Sequence, residues 1–246
     1  MRYFLEFSYN GKAYHGWQNQ PNAISVQEVL EKALSTILKS KISVMGAGRT
    51  DAGVHASQMF AHFEFEGEIN FKDLVYKLNS LLPKDIAVTD VFLVATEAHA
   101  RFDALSRTYK YKISTSKNVF DSDLAYQVQL PLDVNAMNEA CKILFQYKDF
   151  QCFSKSNTDV KTYNCDIKAA NWIKNSNQLI FTITADRFLR NMVRAIVGTM
   201  INIGLGKLEP DALHQIITSK DRSNAGFSVP AHGLYLVEIA YPNTIK

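Results

Sequence analysis

The chain is poor in the features that staple or anchor a protein. It has three cysteines in 246 residues, Cys141, Cys152 and Cys165. An odd number with no C-x-x-C spacing indicates neither a disulfide framework nor a zinc site. No apolar run approaches the roughly 18–20 residues that a membrane span requires. The opening stretch, Arg2-Tyr-Phe-Leu-Glu-Phe7, alternates like a strand and carries no signal-peptide cleavage pattern, so the expected location is cytoplasmic. Charge of neither sign dominates: 27 Lys and Arg against 24 Asp and Glu leave +3, too little by itself to establish a nucleic-acid partner. No Pro/Ser-rich linker, low-complexity run or sequence repeat divides the chain. Metal-ligand spacing is missing as well, since His55 and His62 lie seven residues apart on a loop and a strand. No metal site is expected.

What is present centres on Gly46-Ala-Gly-Arg-Thr-Asp-Ala-Gly-Val-His-Ala56. A β-prone run (Ile42, Val44, Met45) leads in and an alternating run (Met59, Ala61, Phe63, Phe65) leads out, so the loop between them displays its side chains. Arg49 and Asp51 stand at its centre. On residues alone, a turn aspartate bonded to its own backbone is as good a reading as a functional one. Two nucleotide-site readings fail. Val54-His55 stands where a P-loop has Lys-Ser/Thr. Asp51 takes the third glycine of a dinucleotide loop and repels a pyrophosphate there.

Around this loop the periodicity predicts an ordered set of elements. Residues 2–8 form a strand, Ser25 with Glu28 caps a helix to about residue 39, Asn70 caps a second helix, and Ile86–Val94 is a strand. The first half thus reads β-α-β-β-α-β, a ferredoxin-like order also used by RNA-recognition modules. Arg107–Ile113 alternates with Tyr109, Tyr111 and Ile113 on one side, where tyrosines are usually core. Asp133 or Asn135 starts a helix, two strands follow up to Thr184, and most of Asp186–Met200 reads as a core-facing helix carrying Arg190 and Arg194 a turn apart. Glu209-Pro210-Asp211 opens the last helix. Basic residues gather at Arg101, Arg107, Lys110, Lys112 and Lys117, and again at Arg187, Arg190 and Arg194, patches that suit phosphates. The loop Tyr9-Asn-Gly-Lys-Ala-Tyr-His-Gly-Trp-Gln-Asn-Gln20 suits either RNA contact or packing, and its residues alone favour packing of Tyr14 and Trp17.

GAGRTDAGVHA resembles the catalytic loop of the tRNA pseudouridine synthase A (TruA) family. Four further stretches resemble the family in order along the chain: the Tyr9–Gln18 loop, with Asn10 where aspartate is usual; the R-x-Y-x-Y strand at Arg107–Tyr111; the F-L-x-x-M-V-R-x-I-V-G stretch at Phe188–Gly198; and Val229-Pro-Ala-His-Gly-Leu234, with valine for the usual alanine. The resemblance covers essentially the whole chain. It implies an α+β pseudouridine synthase fold of two ferredoxin-like halves, 1–105 and 106–246, sharing a central antiparallel sheet with a cleft between them. It implies isomerisation of uridine to pseudouridine at tRNA positions 38, 39 and 40, with no cofactor, by a homodimer. Residue by residue, it makes Asp51 the nucleophile, Arg194 its ion-pair partner, Tyr109 the active-site tyrosine that stacks on the base, Arg49 a base-flipping arginine and Leu234 a wall of the uridine pocket. It also tips the Tyr9–Gln20 loop toward RNA contact. Whether Asp51 attacks C1′, attacks C6 or takes the C2′ proton stays open. A non-catalytic RNA-binding protein on the same scaffold, or the same chemistry on another RNA, are the competing readings.

Overall fold

A computed structural model describes residues 1–155 and 160–245. Along the chain come β1 (Arg2–Tyr9), α1 (Val26–Leu38), β2 (Met45–Gly46), β3 (His55–Glu64), α2 (Phe71–Leu81), β4 (Ile86–Val94) and β5 (Ser106–Ser114). There follow β6 (Tyr126–Gln127), α3 (Val134–Leu144), β7 (Ile167–Asn175), β8 (Gln178–Ala185), α4 (Met192–Gly204), α5 (Ala212–Ser219) and β9 (Leu234–Ala240). The chain divides into two compact units. The first holds Met1–Arg107 with Tyr235 onward, and the second holds Thr108–Leu234. The fold is α+β, with both antiparallel and parallel strand pairs.

The helices of the first unit start where local chemistry tells them to. Ser25 Oγ accepts from the Glu28 N–H at 3.1 Å and Asn70 Oδ1 from the Asp73 N–H at 3.1 Å, each satisfying an otherwise orphaned donor of a first turn. On α1, Val26, Leu30, Ala33 and Leu34 are buried, the stripe expected of a helix lying on a sheet. Strand β1 runs antiparallel to both β3 and β4, pairing Phe4 with His62 and with Phe92. The β-α-β-β-α-β order read from the sequence is therefore present, with β2 reduced to two residues.

The expectation of an antiparallel sheet needs correction. The edge of β3 opposite β1 is used twice: β2 pairs antiparallel at Ala61–His62, and β9 pairs parallel at His55–Ala56. Hairpin connection forces antiparallel pairing on sequence neighbours, but β9 arrives from almost 180 residues away and is under no such constraint. Strand β6 likewise pairs parallel with β5.

The second unit contains β5, β6, α3, β7, β8, α4 and α5. Asp133 Oδ1 caps α3 by accepting from Asn135 and Ala136 N–H. Strands β7 and β8 form an antiparallel hairpin that stacks Trp172 on Phe181 at 4.9 Å. Helix α4 is buried on almost every side, from Met192 to Gly204, as a helix apolar all round must be. It is shorter than its sequence period suggests. Asn191 sits at φ 68°, a left-handed conformation that ends the helical run, so Asp186–Arg190 lies outside α4. Phe188 is thus no helix-face residue, and Arg190 is exposed rather than one helical turn from Arg194. All three cysteines are free and buried here, and burial pushes each thiol up to about 12.

Candidate active site

The stretch between β2 and β3 carries Arg49 and Asp51. Its two ends are anchored in the sheet: the Ala47 N–H donates to Phe60 O at 2.8 Å, and Val54 and His55 are each 2 % exposed. Between them the loop comes to the surface, leaving Arg49 exposed and Asp51 half-buried. A turn closes just after the carboxylate, with the Val54 N–H donating to Asp51 O at 3.1 Å.

The loop is held from below by Tyr9–Trp17. The Tyr9 phenol and the Thr50 hydroxyl are 2.8 Å apart, one residue from Asp51. The Trp17 N–H donates to Thr50 O at 3.2 Å and the Gly53 N–H to Tyr14 O at 3.3 Å. The Gly11 N–H donates to His55 Nδ1 at 3.1 Å, and the His55 ring stacks on Tyr235 with centroids 4.6 Å apart. Gly16 adopts φ +90°, and a Cβ there would lie 2.3 Å from Thr50 O, so only glycine lets the two backbones meet. Tyr14 and Trp17 are buried, Tyr14 bonded to Asp85 and Trp17 stacked on Phe7. The Tyr9–Trp17 loop is therefore a cradle for the Asp51 loop. Its aromatic residues Tyr14 and Trp17 are packed into the protein. The Asn10 departure is explained in the same terms. Its Oδ1 caps the short turn Gly11–Ala13 through the Lys12 N–H at 3.0 Å, a task an amide oxygen does without charge.

In the second unit, Tyr109 and Tyr111 share β5 but differ in role. Tyr111 is fully buried and donates to Pro230 O at 2.8 Å, and burial raises its phenol. Tyr109 is half-buried and meets the edge of Phe188 with ring centroids 5.1 Å apart. Arg194 lies in the first turn of α4, half-buried, and its Nε–H donates to Val229 O at 2.7 Å. The Val229 N–H returns a bond to Arg194 O at 3.3 Å, so helix and segment are tied at both backbone and side chain. Below this, a Cβ on Gly198 would come within 1.8 Å of Phe227 O, and the Gly226 N–H donates to the Thr199 hydroxyl at 2.8 Å. Val229 is fully buried, and Leu234 is 6 % exposed at the start of β9.

Arg49 and Asp51 thus share one loop of the first unit, while Tyr109, Arg194 and Leu234 belong to the second. Sequence reasoning missed Tyr9 and Thr50 as a buttressing pair. The signal was there in the glycines flanking Tyr14 and Trp17, which mark close backbone approach as readily as ligand contact. Among the described residues, no group of three or more His, Cys, Asp or Glu can hold a metal ion, and no helix is long and apolar enough to cross a membrane.

Comparison with known proteins completes the picture. A family model described as tRNA pseudouridine synthase matches residues 7–103 and 140–242. A Parabacteroides distasonis protein named tRNA pseudouridine synthase A is 54 % identical over 247 aligned residues, covering 99 % of this chain and 97 % of that protein. A Bacteroides fragilis protein of the same name is 53 % identical over 99 % of this chain and 98 % of its own length. A Bacillus subtilis protein of that name is 40 % identical over 99 % of this chain and its own whole length.

Proposed function

From the premise that the chain belongs to the tRNA pseudouridine synthase A family and isomerises uridine to pseudouridine in tRNA, we propose that Asp51 is the carboxylate that does the chemistry, on uridines 38, 39 and 40 of the anticodon arm. The observation that supports this most is the bracing of the Asp51 loop. Thr50 and Gly53, on either side of the carboxylate, are each bonded to the Tyr9–Trp17 cradle. A loop held this way keeps one geometry without a ligand, which is what a reacting group needs.

The isomerisation breaks the bond from C1′ to N1, turns the base and forms a bond from C1′ to C5. The C5 proton leaves, N1 gains a proton, and no redox partner is consumed. Asp51 acts in the ionised form, by attack at C1′ or C6 or by removing the C2′ proton. Arg194 is the cation that favours that form, and its bond to Val229 fixes the direction of its guanidinium. Tyr109 stacks on the base and assists loss of the C5 proton. Its edge contact with Phe188 holds the ring in one orientation. Leu234 forms part of the apolar wall for the uridine. Arg49, exposed beside Asp51, takes the place of the extruded base, whose unstacking costs on the order of a few kcal/mol. The same reading carries two ferredoxin-like halves, 1–105 and 106–246, a homodimer that engages one tRNA with both subunits, and a cytoplasmic location.

The deciding experiment maps pseudouridine on an unmodified tRNA with uridines at 38–40, using wild type and Asp51→Asn. Conversion at those positions by wild type, reduced by a factor of roughly 1,000 or more in the variant, is the expected result. Retained conversion by Asp51→Asn removes the carboxylate from the mechanism, and conversion at other positions removes the anticodon-arm assignment.

A further inference from the structure

By composition, Arg107 belongs to a basic cluster that suits phosphates. In the structure its guanidinium is turned onto the protein backbone instead. Nη1 donates to Ala104 O at 3.0 Å, and Nη2 donates to Ala47 O at 3.1 Å and to Arg101 O at 2.6 Å. The three carbonyls belong to two separate segments of the first unit: the root of the Asp51 loop and the turn that follows β4. That turn is closed on itself. The Asp103 carboxylate accepts from the His99 N–H at 2.7 Å, and the Asp103 N–H donates to His99 O at 3.1 Å. Tyr241, half-buried, donates to the neighbouring Ala100 O. The 99–104 turn is thus a fixed point against which something else can be held.

Ala47 is the last residue before the Asp51 loop leaves the sheet. Its N–H is committed to Phe60 and its side chain is 1 % exposed, while Gly48, the next residue, has open space where a Cβ would stand. Everything from Gly48 to Asp51 hangs from this one peptide. On the far side, Thr50 and Gly53 rest on the Tyr9–Trp17 cradle, so Ala47 O is the matching anchor on the near side. We infer that Arg107 is a positioning residue for catalysis, clamping the root of the Asp51 loop to the 99–104 turn. This rests on Asp51 being the reacting carboxylate. The task suits arginine and not lysine. A planar fork serves carbonyls in two segments at once, whereas an ammonium on a flexible stem keeps the charge and loses the span.

Arg107→Lys separates this role from phosphate binding, because the positive charge seen by RNA is retained. The measurements are single-turnover pseudouridine formation at saturating unmodified tRNA, tRNA Kd, and amide exchange of the peptide covering 46–55. Expected is a 10- to 100-fold slower turnover, in keeping with the cost of a roughly 1 Å misplacement. Kd stays within about twofold, and exchange quickens in 46–55 but not in β1 or β4. A Kd that weakens as far as the rate falls, or a wild-type rate with wild-type exchange, overturns the proposal. Arg107→Ala supplies a second arm. Guanidinium added at millimolar concentration restores part of the lost rate, and ethylammonium at equal ionic strength does not. Rescue by neither or by both equally counts against a fork-specific clamp. An active Asp51→Asn enzyme sinks the Asp51 assignment and leaves the exchange result for Arg107 untouched, so the two failures are told apart.

Discussion

The Asp51 loop of the first unit and the Arg194 segment of the second are each held in place, but by different physics. The loop has no regular structure of its own between Ala47 and His55. It is fixed by separate hydrogen bonds with Tyr9, Tyr14, Trp17, Gly11 and Arg107, each contributing on the order of 1 kcal/mol. Arg194 rides on a helix that is core on nearly every side, and the 226–234 segment lies against that helix at a contact where Gly198 faces Phe227 O and Gly226 donates to Thr199. Burial and close packing do the work there. Geometry and stability should therefore come apart in the first unit and fail together in the second.

The largest effect is expected from Gly198→Ala. The added methyl meets a backbone oxygen that no side-chain rotation can move, so α4 and residues 226–229 must part. Overpacking of this kind costs about 3 kcal/mol or more, which lowers Tm by roughly 10 °C in a chain of this size. Thermal unfolding by circular dichroism measures it, and turnover should drop in the same variant. A wild-type Tm would mean that the helix contact is not what locks this segment.

Gly16→Ala is the counterpart in the first unit. Alanine at φ +90° is strained by roughly 1–3 kcal/mol, and its Cβ pushes on Thr50 O, beside Asp51. Single-turnover rate should fall about 100-fold, tRNA Kd should hold within about threefold, and the Tm loss should be smaller than for Gly198→Ala. Equal losses of rate and stability would erase the distinction between the two kinds of lock.

The smallest effect concerns acid, and it too should fall on the first unit. His62 is buried between β1 and the 99–104 turn, with Phe4 stacked beside it and Nδ1 accepting from the Ala100 N–H at 3.1 Å. Burial, with the neighbouring His99 and Arg2, lowers its pKa to about 4, against the opposing pull of Glu64 and Asp103. Because the folded value lies below the ordinary 6.5, the unfolded chain binds a proton that the native state refuses. The contribution is whole above pH 6.5 and is lost as pH falls toward 4. In the second unit, the buried thiols and Tyr111 are shifted upward and stay neutral across that window. His62→Asn keeps an acceptor for Ala100 but cannot titrate, so it should flatten the decline in Tm between pH 6.5 and 4.5 by a few degrees. An unchanged decline would place the acid-sensitive group elsewhere.

Much of the local architecture was legible beforehand. Ser25 and Asn70 cap the helices they were expected to cap, Asp133 is the one of the two candidates that caps α3, and Ile86–Val94 is a strand with the expected limits. These signals need only a few neighbouring residues. The stretch 186–200 misled because its apolar spacing stays helical through Phe188, and nothing in that spacing reveals the left-handed turn at Asn191. The Tyr9–Gln20 loop was open to two readings for a related reason. Glycines beside aromatics announce a close approach of backbone, but whether RNA or another loop does the approaching depends on residues forty positions away.

The sequence by itself determined where most helices and strands lie and which family the motifs resemble, because caps, alternation and motifs are all encoded within a dozen residues. Only the tertiary structure decided that β9 runs parallel to β3, that Tyr9 and Trp17 hold the Asp51 loop, and that Arg107 is spent on three carbonyls. Each of those includes a join between groups about 40 to 180 residues apart, and a hydrogen bond across such a gap exists only once burial has brought its two ends together.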